Sequence, residues 1–385
     1  MTRLIHVTTT DISLELLLGP QLEAFAAAGY EVIGMSAPGP FVRDVERRGV
    51  RHVPLEHATR SMALGEDVRA VAELRRRFRE LRPDVVHTHN PKPGVYGRVA
   101  ARTAGVPVVV NTVHGLYALP DDRLAKRAVV YGLERLASTC SDAELVQNPE
   151  DLDTLRRTLR VPAAKLTLLG NGIDLARFRP DESGSTRRRV RGELGLDDST
   201  VVVGAVGRLV LEKGYQELFE AWSSLRSSTD AVLLVVGPDE PDKSDGIDEA
   251  LLGRAEADGV RFLGMRDDVD DLYQAMDVYV LASHREGFPR SAMEAAACGL
   301  PIVATDIRGC RQVVDDGRTG VLVPVRSPEA LASAIGRLVA DPARRAAMST
   351  AAVERARAEF DQARVIETTL STYRRLLRAR GVVAP

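Results

Sequence analysis

The sequence predicts an α/β protein built from two doubly wound, Rossmann-like domains that face each other across a cleft. Three observations carry this. The chain has 385 residues, two domains' worth at about 100–200 residues per domain. Short β-rich apolar runs alternate with amphipathic helical patterns twice along it. Between the two series, Pro180 to Arg191 is polar and has no apolar period. Composition agrees, with 44% apolar and 28% charged residues, close to ordinary globular usage.

In the first half, strands are expected at Leu4–Thr8, Glu31–Met35, His52–Leu55, Asp84–His89, Val108–His114, Glu144–Gln147 and Leu166–Leu169. Helical patterns fill the gaps. Leu14–Ala28 follows Ser13 and stops at Gly29, a plausible N-cap and C′ pair. Val71, Leu74, Phe78 and Leu81 recur at three- and four-residue spacing and put one apolar face on a helix over 68–82, whose other faces carry Arg75, Arg76, Arg77 and Arg79. Strand–helix alternation predicts a parallel sheet covered on both faces. Pro180–Arg191 reads as a linker or hinge. Strands then resume at Val201–Val206, Ala231–Val236, Val260–Leu263, Val278–Leu281, Ile302–Thr305 and Gly320–Val323. The expected domains are 1–180 and 181–360, with a helical tail at 361–385 able to cross back to the first. In open α/β sheets ligands bind outside the strand C-termini, so the chemistry is sought there.

Several classes are excluded at this stage. No apolar run approaches the roughly 20 residues that span a bilayer, and Met1–Thr10 lacks the basic start and cleavage site of an export signal. Cys140, Cys298 and Cys310 are odd in number and without CxxC spacing, which argues against a disulfide framework or structural zinc. A cytoplasmic chain is expected. A net charge of −2 argues against nucleic acid as a partner. Residues 1–180 carry 25 Lys+Arg and 21 Asp+Glu, against 27 and 33 in the remainder; the more basic first half would suit peripheral contact with anionic lipid on the inner face of a membrane.

The densest constellation runs from Ser283 to Gly299, directly after Val278–Leu281. Pro289 suits a first helical turn and Gly299 a C′ position, which brackets a short helix over 289–298. Its first amides, those of Arg290, Ser291 and Ala292, then form a site for phosphate oxygens. Glu286 stands ahead of that anion site and Glu294 within the helix, roughly 7 Å along the axis from Pro289 at a rise of about 1.5 Å per residue. One carboxylate can face a sugar and the other a ribose.

The pair Glu286 and Glu294, seven residues between them, resembles the E-x7-E signature of the retaining glycosyltransferases of family four, which have the GT-B fold. The surrounding GFPRSAMEAAACGLPIVATDIRG, the upstream GRLVLEKG from Gly207 to Gly214 and the later Asp316-Gly317-Arg318-Thr319-Gly320 strengthen the resemblance, which covers nearly the whole chain. Gly207–Gly214 fits neither the Walker pattern nor GxGxxG; it offers two cations, Arg208 and Lys213. In the resembled family this pair binds the donor's diphosphate, and the carried-over role is to offset charge on the departing group. The resemblance also implies donor-sugar contacts from Glu286 and from His114, whose neighbour Gly115 would let a sugar approach the backbone closely, and nucleotide-base contacts, largely through backbone, near Arg266. Asn171-Gly172-Ile173-Asp174 resembles the family's N-G-[IV]-D segment at the hinge.

What this implies is a metal-independent, retaining transferase that moves a sugar from a nucleotide diphosphate, UDP being the expected nucleotide, to a hydroxyl of a sugar or lipid-linked acceptor, with no cofactor. Asp151-Leu152-Asp153 and Asp268-Val269-Asp270 fall at expected helix starts rather than at the strand end a metal-binding DxD pair needs. His87 and His89 could ligate zinc as an i, i+2 pair, but no third ligand is near in sequence, and ordinary hydrogen-bonded strand-end histidines are preferred. The run His87–Arg98, with two prolines and two glycines, suggests a shaped acceptor-side loop. Many family members carry a Gly-Gly pair after the first strand; here Thr8-Thr9-Thr10-Asp11-Ile12-Ser13 stands instead, so hydroxyls of Thr10 or Ser13 would have to substitute. Two competing readings are a nucleotide-sugar 2-epimerase of the same architecture and a non-catalytic nucleotide-sugar-binding protein.

Overall fold

The structure is a computed structural model that describes residues 1–57, 64–89, 92–118, 122–240, 243 and 245–385, with the side chain of Leu64 excepted. It divides into two units. The first comprises Met1–Gly170 and Ala363–Pro385, the second Asn171–Gln362.

In the first unit seven strands, β1 (Arg3–Thr10), β2 (Glu31–Ala37), β3 (Arg51–Pro54), β4 (Val85–His89), β5 (Val108–Val113), β6 (Ala143–Val146) and β7 (Leu166–Leu168), form one parallel sheet in the order β3-β2-β1-β4-β5-β6-β7. β4 and β5 are buried at every position, as expected of parallel strands covered on both faces. Strand order reverses between β1 and β4. One face is closed by Leu14, Leu22 and Phe25 together with the C-terminal helix Gln362–Ala379, which contributes Leu370, Tyr373 and Leu377 to the core formed with Leu4, Val85 and Val108. The other face holds Leu74 and Phe78 of the helix Leu64–Leu81.

The second unit holds β8 (Val202–Val206), β9 (Val232–Val236), β10 (Val260–Phe262), β11 (Val278–Leu281), β12 (Ile302–Thr305) and β13 (Gly320–Val323), all parallel, in the order β10-β9-β8-β11-β12-β13. Its reversal lies between β8 and β11. Gly172 belongs to a strand-like contact in which Ile173 N–H donates to Phe360 C=O at 2.9 Å and Gln362 N–H to Ile173 C=O at 3.1 Å. A Cβ on Gly172 would lie 2.5 Å from Gln362 Cα, so backbone packing alone accounts for that glycine.

All thirteen expected strands are present, while four local expectations change. The helix expected over Leu14–Ala28 is two pieces, a π turn at Ser13–Leu17 and an α-helix at Gly19–Ala27; Pro20, which has no N–H, sits where the ladder changes. Ser13 caps nothing, because its hydroxyl pairs with Thr10 Oγ1 at 3.2 Å. The linker expected over Pro180–Arg191 contains the helix Ser185–Glu193. That helix is anchored by Arg191, 1% exposed, which meets Asp277 at 2.6 Å and donates to the carbonyls of Asp197, Asp198 and Thr200. The acceptor-side loop expected over His87–Arg98 is not a loop where it is described: His87–His89 end β4, and Lys92–Ala104 is a helix. Arg98 within it is fully buried between Glu134 and Glu144, each at 2.7 Å. Asn90 and Pro91 lie outside the described residues. Among the described residues no helix is long and apolar enough to cross a membrane.

Candidate active site

At the reversal of the second sheet, β8 runs into Gly207-Arg208 and β11 into Ser283–Glu286. Open parallel sheets bind ligands at such switch points. The two segments are pressed together there: Gly214, at φ +71°, leaves its missing Cβ only 2.0 Å from Ala282 O, and a Cβ on Gly237 would meet Gly207 O at the same distance. No other residue type fits either place. Lys213, at the end of the 3-10 turn Leu211–Lys213, is thereby aimed at Glu286, Nζ to Oε1 2.5 Å, and Ser283 Oγ donates to the same oxygen at 2.8 Å. Gly309 backs the main chain of Glu286, since a Cβ there would lie 2.6 Å from the Glu286 carbonyl oxygen. Arg208 is held by Glu240 at 2.7 Å, and Lys243 also pairs with that carboxylate. Burial pushes the Glu240 carboxyl up in pKa, but hydrogen bonds from Lys243 and Arg208 outweigh it and hold it below the usual range.

The short helix spans Arg290–Ala297, with Pro289 as its N-cap and Gly299 left-handed at φ +87°. Its first intrahelical bond runs from Met293 N–H to Pro289 C=O, 3.2 Å, so the amides of Arg290, Ser291 and Ala292 stand outside the helical ladder and carry the positive end of its dipole. Ser291 is fixed from below by Tyr279, whose hydroxyl donates to Ser291 Oγ at 2.8 Å, and by Tyr273, whose hydroxyl donates to Ser291 C=O at 3.1 Å. Tyr273 also donates to Glu294 Oε2 at 3.3 Å, and Arg290 lies 3.9 Å from Oε1. Burial raises the Glu294 pKa against the opposing charge of Arg290. Asn171 Nδ2 donates to Phe288 C=O at 3.1 Å, so the N-G-I-D turn braces the segment that enters this helix.

Arg266 follows β10, where its guanidinium is committed to Asp268 by two bonds of 2.8 and 2.6 Å. The carboxylates of the two DxD-like runs are engaged elsewhere: Asp268 by Arg266, Asp270 by Arg177, Asp151 by the Leu116 amide and Asp153 by Arg157. The segment Thr8–Ser13 is the end of β1 followed by the π turn. Thr8 Oγ1 donates to Thr10 C=O at 2.9 Å, and Asp11 accepts from Phe41 N–H at 2.7 Å. A small cavity of about 30 Å³ beside it is lined by Thr8, Thr9, His57, Asp67, Lys92 and Tyr96 among others.

At the reversal of the first sheet the chemistry is different. His114 follows β5 and is joined by Gly115, at φ +129°. Its Nε2 meets Nδ1 of His89 at 2.9 Å, and His89 Nε2 meets His6 Nδ1 at 3.0 Å. His87 Nε2 pairs with Thr112 Oγ1 at 2.7 Å, and its Nδ1 pairs with the hydroxyl of Tyr373, which is 3.4 Å from His6 Nε2. Thus the third histidine beside His87 and His89 is His6, far away in sequence and brought in by the β1–β4 pairing, where His6 and His87 are register partners. Burial drives all four imidazoles down, His6 to about 3 and His114 to about 4, so they are neutral at pH 7.

Sequence reasoning singled out Arg208, Lys213, Glu286, Arg290–Ala292 and Glu294, and all of them gather at the second unit's switch point; Arg266 is at a neighbouring strand end, and His114 is in the first unit. It missed Glu240, Tyr273 and Tyr279, and gave Ser283, the first residue of the constellation, no role. Glu240 had a signal: it follows β9 through Gly237-Pro238-Asp239, the same strand-end position from which Arg208 was chosen.

Residues 186–355 match the family model described as glycosyl transferases group 1, and residues 21–177 match that of glycosyltransferase family 4. The Escherichia coli UDP-Gal:alpha-D-GlcNAc-diphosphoundecaprenol alpha-1,3-galactosyltransferase is 30% identical over 291 residues, 73% of each chain. The capsular polysaccharide biosynthesis glycosyltransferase CapM of Staphylococcus aureus is 27% identical over 383 residues, 98% of each. Among solved structures, sucrose-phosphate synthase from Thermosynechococcus elongatus aligns with a TM-score of 0.84 at 24% identity, covering 98% of this chain and all of that one. The chain belongs to the family-four glycosyltransferases and has the GT-B fold. It is an enzyme that transfers a sugar from a nucleotide donor to an acceptor.

Proposed function

We propose that this enzyme works with retention and without a metal ion, taking its sugar from a UDP-linked donor and placing it on a lipid-linked or polysaccharide acceptor. The observation that carries the reading is the concentration of Arg208, Lys213 and the first turn of Arg290–Ala297 at one switch point, three positive features suited to one diphosphate. In this reading Arg208, Lys213 and the amides of Arg290, Ser291 and Ala292 hold the diphosphate, Glu294 accepts from ribose hydroxyls, and the backbone near Arg266 meets the base. Glu286 and His114 bind the donor sugar. The bond from the sugar's anomeric carbon to the phosphate oxygen breaks, the acceptor oxygen bonds to that carbon on the same face, and the acceptor's proton goes to the leaving phosphate. Lys213 offsets the charge that grows there.

UDP and a lipid-linked acceptor are supported by the name of the Escherichia coli relative, and polysaccharide synthesis by that of the Staphylococcus aureus one. Metal independence is supported by the prior engagement of all four DxD-like carboxylates. For peripheral contact with the inner face of a membrane the better support is not the arginine-rich helix Leu64–Leu81, where Glu80 neutralises Arg76 and Arg77, but the helix Leu124–Ser138. It exposes Leu124, Val129 and Leu136 beside the cation Arg135, while Lys126 is paired with Asp122 at 2.8 Å. Incubation with a panel of nucleotide sugars in EDTA, with and without polyprenyl-diphosphate sugars, tests the reading. Acceptor-dependent release of UDP with product of unchanged anomeric configuration is expected. Strict dependence on added divalent cation, or conversion of the donor without acceptor, would overturn it.

A further inference from the structure

Six side chains of the first unit form one line: Thr112, His87, Tyr373, His6, His89 and His114, joined through the contacts given above. His114 also has a side-chain hydrogen bond with Gln147, whose amide can donate or accept and so fits either tautomer. His6, His87 and His89 are at most 4% exposed, and Phe25 stacks on His6 at 5.4 Å. Neutral imidazole has one N–H and one bare nitrogen, and each link needs one proton. If His87 donates from Nε2 to Thr112, its Nδ1 must accept from Tyr373, whose oxygen then accepts from His6 Nε2–H. His6 Nδ1 accepts from His89 Nε2–H, and His89 Nδ1 from His114 Nε2–H. Every histidine is then the Nε2–H tautomer. Reversing the first bond reverses all of them, and every histidine becomes the Nδ1–H tautomer. A mixture within His6, His89 and His114 sets two protons or two lone pairs against each other. A mixture across Tyr373 either does the same or makes its oxygen accept from both sides and leaves its own O–H without an acceptor; in a dry core an unmade hydrogen bond is costly.

We propose that this line locks His6, His87, His89 and His114 into one shared tautomer, and so decides whether His114 presents a proton or a lone pair at Nδ1. His6, His87, His89 and Tyr373 are then positioning residues for His114. The consequence for turnover rests on the reading that His114 binds the donor sugar, whereas the lock itself does not. The rival use of the cluster is a metal site, since ligand atoms of His6, His87 and His89 lie within 4.8 Å of one another. Against it, the rings of His6 and His87 lie nearly parallel to that of His89, at 19° and 23°, and their nitrogens are engaged within the line.

The test is nitrogen–proton correlation NMR of the full chain labelled with ¹⁵N-histidine at neutral pH, together with metal analysis. The lock requires the same tautomer signature for all four imidazoles. Unlike tautomers among them, or one zinc per chain whose removal by chelator shifts their signals, would overturn it. Tyr373→Phe cuts the line between His87 and His6. It should uncouple the His87 signature from the other three and lower kcat by about three- to tenfold with donor KM held within twofold, because a share of the chains then carries His114 in the wrong tautomer. Uncoupled signatures with unchanged kcat would keep the lock and refute the sugar contact of His114. Signatures unmoved by Tyr373→Phe would refute the lock.

Discussion

The two units share one architecture, a parallel sheet whose strand order reverses near its middle, yet they place opposite chemistry at the reversal. The second unit gathers charge there: Lys213 with Glu286, Arg208 with Glu240, and Arg290 near Glu294. The first places neutral imidazoles at the same topological point, held neutral by burial. A diphosphate needs cations and a helix dipole, whereas sugar hydroxyls need oriented neutral donors and acceptors. In the proposed reading the same sheet serves two ligand fragments by exchanging charge for tautomer, as expected when function resides in sites grafted on a common fold.

The contrast breaks first at the cations. Arg208→Ala and Lys213→Ala should each lower kcat by about 10²–10³-fold, the scale of removing one group that stabilises developing negative charge. Steady-state release of nucleotide diphosphate measures it, and a change under threefold would remove the leaving-group role. Glu294→Ala comes next. A hydrogen bond to a charged partner is worth about 1.5–3 kcal/mol, so donor KM should rise by about 10- to 150-fold with kcat less affected, and an unchanged donor KM would take ribose recognition away from Glu294.

Acid should separate the two units. His6 is lowered to about 3 by burial, so between that value and an unfolded pKa near 6.5 the unfolded chain binds the extra proton. Its stabilising effect is complete above about pH 6.5 and is lost as pH falls, by about 2 kcal/mol between pH 7 and pH 5 at 1.36 kcal/mol per unit. His87 and His89 act in the same direction. In the second unit Glu240, held below the carboxylate range, begins to lose its contribution only below about pH 4.5. Hydrogen exchange followed from pH 7 to 5 should therefore show the first sheet opening before the second. The reverse order would mean that the imidazoles are not the acid-sensitive element.

The strands and the grouping of the candidate residues at the second unit's switch point were readable in the sequence because both depend on short-range signals. Apolar runs bounded by turn residues mark buried parallel strands, and Pro289 and Gly299 bracket a helix whatever surrounds it. The histidine line was not readable, since His6, His114 and Tyr373 are joined to His87 and His89 only by strand order and by the return of the last helix. The linker over 180–191 misled for a related reason. Its helix is held by Arg191 reaching Asp277, a long-range bond that no apolar period announces. In the segment after His89, two prolines and two glycines outweighed the burial of Arg98 against Glu134 and Glu144, which lie in distant stretches of chain.

The smallest effects probe how tightly each unit is built. Gly309→Ala would set a methyl 2.6 Å from Glu286 O and 2.8 Å from Glu286 Cβ. Backbone cannot swing aside as the end of a flexible side chain can, so the segment carrying Glu286 must move off Lys213. A cost of about 1–3 kcal/mol in unfolding free energy is expected for such overpacking, accompanied by lower kcat. Gly132→Ala, within the first unit's helix Leu124–Ser138, meets nothing within 4 Å. It should stabilise by about 0.5–1 kcal/mol, the helix propensity difference between the two residues, with kcat unchanged. Denaturant titration with parallel turnover assays reads both variants. If Gly309→Ala were as harmless as Gly132→Ala, the Lys213–Glu286 contact would not depend on close backing by the 308–311 turn, and the second unit's charged site would be as tolerant of its surroundings as an exposed helix.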